Sequence, residues 1–263
     1  RVETRGTSAV ARSHSRGKIL KPQSMRSIAA EDSVKRLPTG IVDLDAVLGG
    51  GILPAGVMLL AGQPGIGKST LLMQVAAHVS EQYAVLYVSG EESASQVKLR
   101  ATRLGATSGD DLQFVASTSA DDIAATIRSG QYKLVIIDSI QTLSLEEIAS
   151  APGTVSQITN SSNVIIRAAK ASGAAVILVG HVTKEGSIAG PKVLEHLVDV
   201  VLQFEGDRYG GFKVVRAAKN RYGSTSEAAI FEMNDKGLRV VENPSAALLA
   251  ERQNADGSVV LAT

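Results

Sequence analysis

Residues Gly62-Gln63-Pro64-Gly65-Ile66-Gly67-Lys68-Ser69 match the pattern G-x-x-x-x-G-K-[ST] without a mismatch. Three glycines let the backbone turn tightly, so that several N–H groups point inward at a phosphate chain. Lys68 is placed to reach the outer phosphates as a point charge, and the Ser69 hydroxyl to hold Mg²⁺. The nucleotide-binding set runs from Gly62 through Thr70. Flanking residues supply the context this loop requires. Val57 to Ala61 reads as a buried strand, and Ser69 to Ser80 as a helix with Leu71, Leu72, Val75, Ala76 and Val79 on one stripe. The helix N-terminus adds a dipole that favours anions. The expected ligand is a nucleoside triphosphate.

Further along lie groups that act on a bound triphosphate. Asp138 closes the apolar run Lys133-Leu134-Val135-Ile136-Ile137 and fits a carboxylate that holds Mg²⁺ together with Ser69. A helix N-cap is the alternative role for it. Glu91 stands where a second strand, Tyr83 to Val88, leaves the sheet; a carboxylate there can orient and deprotonate the attacking water. Glu92 competes for that task or serves as a solvated first-turn acid. His181 ends a third apolar strand, Ala174 to Gly180, and is read either as a γ-phosphate contact that reports hydrolysis or as a structural histidine. His78 and His196 are read as structural, and His14 falls in a basic tail. In Lys219-Asn220-Arg221-Tyr222-Gly223 two cations stand two residues apart on one side of an extended segment. Spacing alone favours an ordinary charged turn over a device acting on a neighbouring subunit's nucleotide.

Positioning these groups takes an α/β frame. Short apolar strands alternate with helices and give way to hairpins over Phe212–Ala218 and Ala228–Met233, as in a mostly parallel sheet with helices on both faces and an antiparallel C-terminal edge. Val42 to Leu48 reads as a short helix stopped by Gly49-Gly50-Gly51, and a helix carrying Val97, Leu99 and Leu104 follows the second strand. Two stretches, Ser144–Ser156 and Val182–Lys192, read as mobile loops, and the second carries Lys184 and Lys192. Hydrophobic residues make up 44% of the 263, aromatics 3%, and cysteine is absent. An aliphatic core follows, and disulfides, thiolate metal sites and cysteine nucleophiles are excluded. Apolar runs are strand-length, so no membrane span or signal peptide is expected, and the cytoplasm is the default location. Residues 1–36 hold nine Lys/Arg against three Asp/Glu and lack periodicity, as a flexible basic arm does. The rest is net acidic, so attraction to nucleic acid there must come from local patches.

Taken together, these motifs resemble the bacterial RadA (Sms) family of DNA-repair ATPases, within the RecA-like ATPases. The likeness runs from Leu37 to Asn243, through Ser89-Gly90-Glu91-Glu92-Ser93, Ile137 to Thr142, Gly180 to Gly186, Val193 to Asp199, and the Lys219–Gly223 segment, where Tyr222 replaces a phenylalanine of the family's signature. It implies an ATP- and Mg²⁺-dependent hexameric ring that moves on single-stranded DNA and promotes branch migration. Its partners would be branched recombination intermediates and a recombinase of the RecA type. Carried onto this chain, the likeness makes Glu91 the catalytic base and has Lys219 and Arg221 act in trans, against the reading from spacing. It also makes the two loops, with Lys184 and Lys192, line the DNA channel. The family's four-cysteine zinc finger has no counterpart here, and Asp256 to Val260 is read as at most the first strand of its Lon-protease-like domain. The chain is thus expected to be an arm (1–36), an ATPase core (37–243) and a linker (244–263). Two other readings stay open: a KaiC-like signalling ATPase or phosphotransferase, and a non-hydrolysing nucleotide-dependent interaction module.

Overall fold

The computed structural model describes residues 21–22, 24–27, 35–106, 111–182, 193–206 and 211–242. Chain contacts divide it into Arg1–Val34 and Lys35–Thr263. In the first unit a single 3-10 turn, Met25–Ser27, is described, its Arg26 N–H donating to Ser24 Oγ.

In the second unit one nine-stranded sheet carries everything else. Its strands are β1 (Val57–Gly62), β2 (Val85–Ser89), β3 (Leu112–Ala116), β4 (Leu134–Asp138), β5 (Ala175–His181), β6 (Val200–Gly206), β7 (Lys213–Asn220), β8 (Ala228–Asn234) and β9 (Gly237–Val240). The order is β3-β2-β4-β5-β1-β6-β7-β8-β9. From β3 to β6 every pairing is parallel, and β6 through β9 are antiparallel. This is the mostly parallel sheet with an antiparallel edge that the alternation of elements predicts. β9 has no counterpart in the sequence reading, because four residues are too few to show a period.

Helices α1 (Val42–Leu48), α2 (Lys68–Ser80), α3 (Ala94–Arg103), α4 (Ala120–Ser129), α5 (Val155–Ser172) and α6 (Val193–Leu197) complete the frame. β1 is buried along its whole length, and its side chains alternate between two cores. Met58 and Leu60 pack with Leu71, Val75 and Val79 of α2, whereas Leu59 and Ala61 pack with Ile123 and Ile127 of α4 and Ile158 and Ile165 of α5. Each fully buried leucine stabilises the sheet by about 2 kcal/mol. Helix starts are set locally: Ser93, Ser119 and Thr154 cap α3, α4 and α5 through their hydroxyls, and Gly49 ends α1 in the left-handed region.

Two local expectations change. Leu99 is exposed at 74%, because the buried stripe of α3 runs through Val97 and Ala101, and a residue two on from Val97 faces away. The stretch read as a mobile loop ends at Thr154, and a buried glutamine ties it down. Gln157 Nε2 donates to the carbonyls of Leu145, Ile148 and Ser150, and its Oε1 accepts from Leu145 N–H. Among the described residues no helix is long and apolar enough to cross a membrane.

Candidate nucleotide site

All the predicted chemical groups of the cleft come from the carboxyl ends of parallel strands. Register brings them together: Gly62 of β1 lies opposite His181 of β5, and Ser89 of β2 opposite Asp138 of β4. The loop after β1 turns through Gly65 and Gly67 at φ of +75° and +118° and feeds α2. Glycine is required at Gly67 by its backbone, whose φ is left-handed. A Cβ there would stand 2.8 Å from the Met233 methyl of β8, but that methyl is the end of a flexible, exposed side chain that could move aside. At Gly62 the constraint is contact, since a Cβ would lie 2.6 Å from the Phe204 carbonyl oxygen.

A cleft of about 290 Å³ opens above these strand ends, lined by Pro64, Gly65, Gly67, Lys68, Ser69, Thr70, Ser89, Glu91, Glu92, Arg100, Asp138 and His181. Gly62, Gln63 and Ile66 belong to the loop but do not line it. Lys68 is only 4% exposed, and its ammonium donates to Gly62 O at 2.8 Å and Gln63 O at 2.9 Å. It also meets His181 Nδ1 at 3.2 Å. An ammonium can only donate, so Nδ1 accepts and the ring proton sits on Nε2. That Nε2 lies 3.5 Å from Glu91 Oε1, which accepts a hydrogen bond of 2.7 Å from Ser139 Oγ. A continuous polar chain therefore joins Lys68 through His181 to Glu91.

The structure separates the two glutamates. Glu92 forms an ion pair with Arg100 of α3, whereas Glu91 faces His181 and Ser139. Both receive their turn from Ser89, whose Oγ accepts the two backbone N–H groups. Asp138 caps no helix. Its Oδ2 accepts from the Tyr87 hydroxyl at 2.8 Å, and burial together with this charge pushes the Tyr87 pKa well up. Arg100 was not singled out in the sequence. It lines the cleft, with Nη1 buried and without a hydrogen-bond partner beside the Glu92 pair. An acid just before a helix N-cap and a cation two turns later is the signal that could have found it.

Burial lowers the Lys68 pKa to about 8, although the charges of Asp138 and Glu91 act the other way. A phosphate that takes up this ammonium restores its proton affinity, so binding above pH 8 takes up a proton. Triphosphate affinity is therefore expected to fall about tenfold between pH 7 and pH 9, measured by titration with a fluorescent analogue. A flat profile would remove Lys68 as the phosphate ligand. For the unliganded chain the sign is opposite. The native state releases this proton first, so its stability from this group rises between pH 8 and the ordinary lysine pKa of 10.5.

Lys219 and Arg221 stand elsewhere. Lys219 pairs with Val201 and Asn220 with Val200, at the amino end of the parallel strands. One length of β1 separates that edge from the phosphate loop, about 17 Å at the usual rise per residue. Lys219 Nζ donates to Glu195 O and Val198 O at 2.5 and 2.7 Å, and Arg221 Nη1 donates to Asp199 Oδ1 at 3.1 Å. The corner is braced by Asn220 Nδ2 on Val47 O and by Arg36 on the carbonyls of Gly51 and Tyr222. Lys184 and Lys192 lie outside the described residues. His78 sits against Gly40 beside Glu81, and His196 is exposed on α6.

A parallel sheet with a phosphate loop after β1, acids at the ends of β2 and β4, and an antiparallel extension defines a RecA-like P-loop ATPase domain. The comparisons agree. The family described as AAA domain matches residues 26–187. DNA repair protein RadA of Pseudomonas aeruginosa is 50% identical over 238 residues, 89% of this chain and 52% of the relative. The RadA of Halalkalibacterium halodurans is 48% identical over 247 residues, 93% and 54% of the two chains. This chain belongs to the AAA-domain family, in its bacterial RadA branch. It spans about half the length of the curated relatives it matches. Among solved structures, a KaiC-like protein from Pyrococcus horikoshii OT3 superposes with a TM-score of 0.64 at 20% identity, covering 79% of this chain and 99% of its own. The RadB recombinase gives 0.58 at 20% identity, covering 78% and 100%. These two likenesses concern the fold alone.

Proposed function

We propose that the chain is the ATPase core of a DNA-dependent motor of recombination and repair, acting in the cytoplasm as a hexameric ring that drives branch migration. The observation that carries this reading is the division of charge between the two edges of one sheet. Lys68, Glu91, Asp138 and His181 meet at the carboxyl edge, while Lys219 and Arg221 gather at the amino edge, too far away to serve their own cleft. A head-to-tail contact would set one protomer's amino edge against the next protomer's cleft, and such heterologous contacts close into rings.

In this reading the amides from Gly62 to Thr70 cradle the phosphates and Lys68 neutralises them. Ser69 and Asp138 are oxygen donors lining one cleft. They suit Mg²⁺, which is held by one or two protein oxygens with phosphates and waters rather than by a protein cage. Bound there, the ion would offset charge developing between the β- and γ-phosphates. Glu91 orients and deprotonates the attacking water, and Arg100 offers its unpartnered N–H to the nucleotide. A γ-phosphate that captures Lys68 withdraws its hydrogen bond from His181 Nδ1 and frees that ring to follow the phosphate. DNA phosphates are taken by Lys184 and Lys192. The loop from Leu145 to Thr154 carries the exposed Glu146 and Glu147 and no cation, so any DNA contact there would have to use backbone N–H and hydroxyl groups. Domain limits at 37 and 243, the recombinase partner and the branched DNA substrates belong to the same proposal.

The test is steady-state ATP turnover with and without single-stranded DNA. Stimulation of several-fold or more is the expected result. Turnover indifferent to DNA, with labelled phosphate appearing on the protein, would replace the motor with a KaiC-like phosphotransferase. No turnover in an assembled ring would leave an interaction module.

A further inference from the structure

Asp199 is an acid set in the apolar run Val198-Asp199-Val200-Val201, and its side chain is 5% exposed. One oxygen, Oδ2, accepts from the backbone N–H of Val57, the first residue of β1, at 2.9 Å. The other accepts from Arg221 Nη1 at 3.1 Å. Backbone bonds run alongside, from Asp199 N–H to Val57 O and from Arg221 N–H to Asp199 O. The pair is asymmetric: the carboxylate is buried, while the Arg221 side chain is 53% exposed. Arginine can therefore leave without disturbing the core, and the carboxylate cannot follow. Lys219, fixed on two carbonyls of its own chain, lies close enough to feel the Asp199 charge and stays behind to compensate it.

We propose that Asp199 is a positioning residue that parks Arg221 within its own protomer, so that each step in which this guanidinium reaches a neighbour's nucleotide begins by breaking the Asp199–Arg221 pair. The inference rests on the trans role assigned above to Arg221. It adds a threshold: nucleotide and neighbour must together offer the guanidinium more than the buried carboxylate does. Lys219 then acts as the fixed cation and Arg221 as the travelling one.

The variant that reads this is Asp199→Asn, whose amide oxygen still accepts from Val57 but whose charge is gone. ATP turnover per chain is measured against protein concentration. Asp199→Asn is expected to reach half-maximal specific turnover at about fivefold lower concentration than the wild type, the size of a half-exposed charged hydrogen bond. Sedimentation with a non-hydrolysable ATP analogue, which reads assembly without turnover, should show the same gap, and there it should vanish in the Arg221→Ala background. An unshifted curve, a shift to higher concentration, or an equal shift without Arg221 each overturn parking. Should the variant not fold, arginine-labelled wild type decides. The Arg221 guanidinium resonance should be protected from exchange in the dilute chain and change on assembly with a non-hydrolysable ATP analogue; a signal already free when dilute overturns the proposal. The trans role fails separately, if Arg221→Ala turns over ATP like the wild type.

Discussion

Glu91→Gln is expected to lower ATP turnover by about 10²- to 10⁴-fold while leaving ATP affinity nearly unchanged. The amide keeps an acceptor for the Ser139 hydroxyl, so the turn after β2 survives, but it cannot take a proton from water. Binding is spared because Glu91 makes no hydrogen bond to Lys68, whose contacts with the loop carbonyls and His181 stay in place. Single-turnover hydrolysis beside an equilibrium binding curve separates the two effects. Glu92→Gln is the control. Glu92 is held by Arg100, so losing its charge should weaken binding modestly by loosening that cation, not stop chemistry. If Glu92→Gln lost the chemistry and Glu91→Gln kept it, the base would have to be reassigned.

Arg221→Ala is expected to cost about 10³-fold or more in turnover, the scale of an arginine supplied to a transferring phosphoryl group. Its own cleft stays intact, since the residue lies a strand length from the phosphate loop. Lys68→Ala is inactive for the opposite reason: its cleft is broken and its Arg221 is whole. Mixing the two inactive proteins should restore activity, because each junction that sets an Arg221→Ala cleft against a Lys68→Ala amino edge has both parts. Restored turnover that peaks near equal mixing is the expected measurement. A mixture that assembles yet stays inactive would place the function of Arg221 within its own chain, where Asp199 is its partner.

What could be read from the sequence was whatever depends on neighbours a few residues away. The phosphate loop is local: glycine spacing, a lysine and a hydroxyl determine its geometry before any tertiary contact forms. Strands β1, β4 and β5 are legible because burial on both faces leaves unbroken apolar runs. Helix limits were legible where glycine marks them, at Gly49, but not at Thr154, where Gln157 binds the preceding loop from inside the core. β9 stayed hidden because its anchor is remote: Gln74 of α2 accepts from Leu238 N–H and donates to its carbonyl, across 164 residues.

Tertiary structure alone decided which groups meet. The sequence reading expects Glu91, Asp138 and His181 at strand ends around the triphosphate; strand order and register supply their actual partners, because parallel strands deliver all their carboxyl ends to one edge. The same rule sends Lys219 and Arg221 to the other edge, since an antiparallel β7 returns the chain to where β6 began. It also made Asp199 a buried partner of Arg221. Sequence by itself determined the phosphate-loop pattern, a set of glycines with a lysine and a hydroxyl at fixed spacing. Only the folded sheet decided which acid stands beside His181 and which is held by Arg100, which cation is bonded to its own carbonyls, and which one is left half in solvent, because those outcomes are fixed by contacts between segments that sequence distance does not encode.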